Sequence, residues 1–292
     1  MQPSLHKPAL VLVSIVILVV GLLWVLGVWG RDKLPEPVIN EESMVTYEII
    51  GRSLEGRKIE SYTYGDGAKH ILFVGGMHGG YEWNSVLLAY KFIDHLDLNR
   101  DFLSTDMKVS IIPTANPDGL YKVVGREGRF IPANVSTNKV VLSAGRFNAR
   151  QVDLNRNFAC KWKPESTWKS QKVSAGTKAF SEPEAVAIRD FVLKNKPDAV
   201  VFWHSQSNAV YASECEEGVL PATLDIMNAY AKASGYNPIK SFDAYEITGD
   251  AEGWLASIGI PAITVELRTH ETIEFDQNLA GIKAILNYYS KI

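Results

Sequence analysis

The chain places a histidine and a glutamate in one glycine-rich stretch, Gly75-Gly76-Met77-His78-Gly79-Gly80-Tyr81-Glu82-Trp83-Asn84. An apolar strand pattern, His70 to Val74, runs into it, and a helical pattern from Ser85 to Ile93 runs out of it. His78 and Glu82 therefore stand where a strand ends and a helix begins, the edge at which open α/β sheets bind ligands. The glycines allow a sharp turn and leave room beside the imidazole. A neutral imidazole and a carboxylate about one turn apart can hold one divalent metal ion. The plainer reading is a loop histidine followed by a glutamate that favours the helix dipole.

His204 repeats this placement, directly after the apolar run Ala199-Val200-Val201-Phe202-Trp203. Two strand-end histidines and Glu82 make a three-ligand set, and catalytic zinc takes three protein ligands and keeps a fourth position for water. Glu266 closes the strand pattern Pro261-Ala262-Ile263-Thr264-Val265. A carboxylate there is either an edge residue paired with Arg268 or a general base. Zinc lowers the pKa of a bound water to about 7, and a carboxylate in hydrogen-bond reach takes that proton and returns it to a leaving amine. Asp153-Leu154-Asn155-Arg156-Asn157-Phe158 sets an amide beside a guanidinium. The planar fork of arginine grips a carboxylate at two points, which suits a substrate's free terminus. Its plainer reading is a surface salt bridge of little energetic value.

The elements that must position these groups alternate. Met44 to Ile50 and Ile59 to Tyr64 read as paired strands, and Lys108 to Ile112 as another, stopped by Pro113. Ser181-Glu182-Pro183-Glu184 reads as a helix start, with Ser181 as cap and proline in the first turn, and Ala185 to Leu193 continues that helix. Helices are also expected over Leu220 to Ser234 and Gln277 to Tyr289, with a strand over Ile260 to Leu267. Strands alternating with helices predict an α/β class with a largely parallel sheet flanked by helices. Tyr121 to Lys178 is long and rich in Arg, Asn, Lys and Ser, and so long an irregular stretch in a compact domain points to function.

The 292 residues suffice for one large domain or two small ones, and 46% of them are hydrophobic, enough for a sizeable core. A net charge of −3 with mixed signs argues against a nucleic-acid partner. Two cysteines, Cys160 and Cys215, make no disulfide framework and lack zinc-finger spacing; they either form one bridge or stay as thiols. Residues 9–30 hold only Ser14 as a polar side chain. That run matches the roughly 20 residues that cross a bilayer and exceeds a signal-peptide core. We therefore expect a short tail (1–8), a single transmembrane helix (9–30) with the lipid bilayer as partner, a polar linker (31–43) and a catalytic domain (44–292). A cytoplasmic tail would place that domain outside the cytoplasm, as a single-pass membrane protein.

Asn116-Pro117-Asp118-Gly119, the Asp153–Phe158 motif, the two histidines and Val265-Glu266-Leu267-Arg268 occur in the order seen in zinc metallocarboxypeptidases of the carboxypeptidase A family. The resemblance spans roughly Tyr47 to Tyr289. It implies an α/β/α sandwich on a mixed, largely parallel eight-stranded sheet. It also implies one Zn²⁺ held by His78, Glu82 and His204, with Glu266 as general base. Asn155 and Arg156 would anchor the carboxylate of a peptide substrate. Arg146 resembles the arginine that steadies the developing oxyanion, with Arg129 as second choice, and Tyr245 the tyrosine that closes over substrate. One departure stands out: three residues separate His78 from Glu82, where the common motif has two. That variant resembles bacterial members acting on murein peptides, so the expected substrates are cell-wall or other extracytoplasmic peptides. The alternatives are a zinc-dependent N-acyl amino-acid deacylase and a non-catalytic binding module of the same fold.

Overall fold

A computed structural model describes residues 45–291. In chain order the elements are β1 (Val45–Arg52), β2 (Lys58–Tyr64), β3 (Lys69–Val74), α1 (Trp83–Leu98), β4 (Met107–Ile112), α2 (Pro117–Val124), α3 (Lys139–Ala144), β5 (Glu165–Trp168) and β6 (Gln171–Ser174). There follow α4 (Pro183–Asn195), β7 (Ala199–Ser205), β8 (Ala209–Ala212), β9 (Glu214–Cys215), β10 (Gly218–Val219), α5 (Pro221–Ser234), β11 (Asn237–Ile239), α6 (Ala251–Ser257), β12 (Ala262–Leu267) and α7 (Phe275–Tyr289).

Eight strands form one mixed sheet in the order β1-β2-β4-β3-β7-β12-β8-β11. Its centre, β4-β3-β7-β12, is parallel. Both faces of that centre are covered, so its strands are mostly apolar on both sides rather than alternating. Successive side chains nevertheless point to opposite faces. Ile71, Phe73, Val201 and Trp203 pack with α1, α5 and α7, whereas Leu72, Val74, Val200 and Phe202 pack with α4 and α6. Phe73 stacks on Trp203 at 5.1 Å between ring centres, and Phe92 of α1 meets Trp203 edge-on at 6.2 Å. Each such ring, fully buried, contributes roughly 1.5–3 kcal/mol. Together they fix β3 against β7, and so fix the heights at which those strands deliver His78 and His204.

The α/β/α sandwich agrees with the expected class, but the membrane part of that expectation is corrected. Among the described residues no helix is long and apolar enough to cross a membrane. The expected tail (1–8), transmembrane helix (9–30) and linker (31–43) lie outside the described residues. A preceding span, a bilayer partner and a single-pass placement therefore have no support in the structure. An apolar run reports a preference for leaving water; it does not by itself specify a lipid surrounding.

Two local expectations also change. Ser181 is not the cap of α4; the cap position is Glu182, with no side-chain cap bond. Ser181 Oγ instead donates to Glu182 and accepts from Asn157 Nδ2. The stretch 121–178 is not structureless, for it carries α3 and the β5–β6 hairpin.

Candidate metal centre and cleft

The loop after β3 brings His78 to the C-terminal edge of the parallel strands. Residues Gly79–Glu82 form one 3-10 turn, and α1 starts at Trp83. Gly79 takes φ +46°, and a Cβ there would lie 2.6 Å from the Gly145 carbonyl oxygen. A Cβ on Gly80 would lie 2.4 Å from Val123. Only glycine fits these two positions, and the extra residue of the His–Glu spacing is taken up here, ahead of α1. Glu82 still reaches the same point as His78.

His78 Nδ1 lies 2.8 Å from Glu82 Oε1, and His204 Nδ1 lies 2.9 Å from Glu82 Oε2. The two Nδ1 atoms are 3.1 Å apart. All three residues are buried, and among the described residues they are the group whose ligand atoms converge as a metal set. If each Nδ1 donates to its own oxygen of Glu82, two N–H groups are forced together at 3.1 Å. A divalent cation removes that conflict, because each nitrogen then offers a lone pair. The donor set, two nitrogens and one carboxylate, is the one Zn²⁺ takes at catalytic sites. The cluster thus fits a single Zn²⁺. The outer ring nitrogens face carboxylates, as ligating histidines require. His78 Nε2 lies 3.5 Å from Asp153 Oδ1, and His204 Nε2 lies 3.2 Å from Glu252 Oε1.

Arg146 is buried and pinned twice by Asp153 Oδ2, from Nε at 2.9 Å and NH2 at 2.8 Å. Its NH1 is left on the cluster side, 3.9 Å from Glu82 Oε1. Burial alone would raise the Asp153 carboxyl, but Arg146, and then His78 and Arg156, hold it well below the usual carboxylate range. Asp153 therefore serves a ligand and an arginine at once.

Glu266 is the register neighbour of His204 across β12 and β7, which places it beside the cluster. It is not paired with Arg268, whose Nε bonds Asn208 instead. Its Oε2 is shielded and has no hydrogen-bond partner. Burial first, then the charge of Glu82, push its carboxyl up to about 8.

Asn155 and Arg156 sit on a short turn, Leu154–Arg156, that Asp153 caps. Asn155 Oδ1 accepts from Ala251 N at 2.9 Å, tying the turn to α6. Arg156 donates to two carbonyls, Asn155 O and Thr167 O, while its buried Nε has no partner. Among the described residues no carboxylate makes an ion pair with it. Tyr245 lies on the cleft wall, 4.8 Å from Phe242 ring to ring. Arg129 is elsewhere: it is half exposed, pairs with Asp94 at 2.7 Å and stacks on Tyr90.

His78, Glu82, His204, Glu266, Arg146, Asn155, Arg156 and Tyr245 all line one cleft of about 530 Å³, within the range of small-ligand sites. Tyr81, Trp168, Lys169 and His270 are among the wall residues that reasoning from sequence missed. Only the added residue between His78 and Glu82 pointed at any of them. Cys160, also on the wall, is joined to Cys215 (S–S 2.03 Å), which closes the choice left open by the sequence.

The family model for zinc carboxypeptidases matches residues 36–285. Gamma-D-glutamyl-L-diamino acid endopeptidase 1 of Lysinibacillus sphaericus is 26% identical over 242 residues, covering 75% of this chain and 59% of that protein. Carboxypeptidase B of Helicoverpa zea is 27% identical over 261 residues, covering 81% and 59%. The chain thus spans about 59% of the length of these relatives. Among solved structures, bovine thrombin-activatable fibrinolysis inhibitor, in complex with a tick carboxypeptidase inhibitor, superposes with a TM-score of 0.69 at 20% identity, covering 86% of this chain and 92% of that one. Murein-tripeptide amidase MpaA of Escherichia coli O157 gives 0.59 at 22%, covering 82% and 91%. These two show the fold alone. A family match over most of the chain, on a fold that gathers this donor set at one sheet edge, leaves one conclusion: the chain belongs to the zinc carboxypeptidase family.

Proposed function

We propose that this protein is a zinc carboxypeptidase that hydrolyses the amide bond next to a substrate's free carboxylate. The observation that carries the reading is Arg156: a buried guanidinium with a partnerless Nε and no carboxylate of its own, facing the cleft that holds the metal cluster. A buried cation of this kind is costly until an anion reaches it. A substrate carboxylate supplies that anion, with the Asn155 side chain beside it.

His78, Glu82 and His204 would hold the Zn²⁺, which when bound polarises the scissile carbonyl and acidifies a water. Glu266, unpartnered at Oε2, takes the proton of the attacking water and returns it to the leaving amine. Arg146 offers NH1 to the oxygen on which charge develops, and Asp153 holds the guanidinium still so that no reorganisation is needed at that moment. Tyr245 closes the carboxylate end of the cleft.

The substrates we propose are cell-wall peptides. Three observations support this. One relative is an endopeptidase named for a diamino acid and one similar fold for murein tripeptide. The Cys160–Cys215 bond belongs to oxidising surroundings. Asp250 and Glu252 also line the cleft near Arg156, and an ammonium side chain on the terminal residue would offset two neighbouring acids.

The test is hydrolysis of matched peptides, murein fragments included, with free or amidated carboxyl ends. Cleavage confined to free-carboxylate peptides, lost with a chelator and restored by Zn²⁺, is expected. Equal cleavage of amidated peptides, or activity that survives metal removal, overturns the reading.

A further inference from the structure

The wall of the cleft that the proposed chemistry leaves unused is aromatic and carries one cation. Tyr81, the added residue of the His–Glu spacing, packs edge-on to Trp168 at 5.1 Å and lies 4.6 Å from His270, ring to ring. Lys169 Nζ is 3.3 Å from the Tyr81 hydroxyl and 5.2 Å from the Trp168 ring centre. Among the described residues Lys169 has no carboxylate partner, whereas Arg146, the other cation against the Trp168 ring, is matched by Asp153.

This wall is built, not incidental. Asn84 Nδ2 donates to the carbonyls of Thr269 (2.7 Å) and Thr272 (2.8 Å), which uses both amide protons and turns Oδ1 toward Ser205. Ser205 Oγ therefore donates to Asn84 Oδ1 at 3.0 Å. Its single proton is spent there, so at 2.7 Å it accepts from His270 Nδ1. His270 is thereby oriented with Nδ1 protonated and Nε2 left as an acceptor. Burial, the largest influence, lowers its pKa, and Lys169 adds to this against the opposing pull of Glu82.

Position assigns the wall to one end of a substrate. Asn155 and Arg156 are tied to α6, on one face of the sheet. Tyr81 and His270 are tied to the start of α1, on the other face. The metal cluster lies at the strand ends between them. A peptide whose terminal carboxylate sits on Arg156 and whose scissile carbonyl sits at the cluster must run its acyl side along Tyr81 and His270.

We propose that Tyr81, Trp168, His270 and Lys169 form an acyl-side subsite that selects a residue bearing a carboxylate. The rings hold the aliphatic part, Lys169 pairs with the carboxylate, and His270 Nε2 accepts an amide N–H of the same residue. This rests on the proposed hydrolysis at the metal cluster. Because Lys169 is exposed, the selectivity is modest and salt-sensitive.

The experiment uses two peptides identical except for Glu or Gln on the acyl side of the scissile bond. It measures kcat/KM with the zinc-loaded protein and binding with zinc-loaded Glu266→Gln. We expect the Glu peptide to be favoured about three- to fivefold at low salt. Lys169→Met should bring the ratio to about one, and Lys169→Glu should reverse it. A Glu/Gln ratio unchanged in both variants, in binding as well as turnover, overturns the subsite. If neither peptide is cleaved yet the binding ratio shifts with Lys169, the subsite stands and the proposed reaction falls. If both are cleaved at equal rates by wild type, the reaction stands and the subsite falls.

Discussion

His70 and His78 bracket the same strand, and the two ends of β3 treat a buried imidazole in opposite ways. At the N-terminal end His70 is fully provided for. Its Nδ1 faces Asn195 O at 3.4 Å, its Nε2 meets Ser110 Oγ at 2.8 Å, and its backbone N–H donates to Asp198. Thr63 in turn can donate to Ser110, so one consistent set of protons satisfies a neutral ring. At the C-terminal end His78 and His204 turn Nδ1 toward each other and toward Glu82, and donating to its two oxygens would press two N–H groups together at 3.1 Å. Burial is the same at both ends; what differs is whether the protein's own partners close the account. A histidine that is satisfied holds a fold together, and a pair left in conflict waits for an ion.

The comparison can be pressed hardest at the C-terminal end. Glu266→Gln is expected to lower kcat by about 10²- to 10⁴-fold while one Zn²⁺ per chain remains. Kinetics paired with metal analysis checks this, and near-normal turnover would remove Glu266 from its role. Arg156→Ala is expected to cost roughly 10²-fold in kcat/KM on free-carboxylate peptides and far less on any residual amidated substrate. An equal loss on both would mean that Arg156 supports the cleft rather than the substrate. Asp153→Asn should weaken zinc affinity by about 10- to 100-fold, because it supports His78, and should also free Arg146. Competition with a chromogenic chelator measures it, and unaltered affinity would separate Asp153 from the metal.

The N-terminal end of β3 yields the smallest effect. Burial first, then Lys108, lowers the His70 pKa from 6.5 to about 4. The unfolded chain therefore binds the extra proton first as pH falls. The stability His70 contributes is fully present above pH 6.5 and is lost progressively toward pH 4, with a slope of about 1 kcal/mol per pH unit. His70→Gln should flatten that acid limb in urea melts taken at several pH values. An unchanged slope would place the acid sensitivity elsewhere. No metal dependence is expected at this end.

What the sequence revealed follows the same division. Strand-end histidines, Glu266 and the Asp153–Phe158 motif were legible because a buried parallel strand writes itself as an unbroken apolar run, and the residue after it lands at the sheet edge. The walls were not. β5, β6, β9 and β10 are two to four residues long and carry no periodicity. Tyr81, Trp168 and His270 meet only in three dimensions. Arg146 ranks only ahead of Arg129 within one polar stretch, and it takes packing to send Arg146 to Asp153 and Arg129 to Asp94. The apolar segment 9–30 suggested a membrane span that nothing in the described residues supports.

The crowding around Gly79 and Gly80 has a practical consequence. Their neighbours are main chain and Val123, with the Gly80 amide donating to Gly145 O at 3.1 Å, so no substituent at either position has anywhere to go. One residue further on, Tyr81 points into open cleft. A saturation library across this tripeptide should return glycine twice and then diversity, marking Tyr81 as the place where an engineer could retune substrate choice without disturbing the ion beneath it.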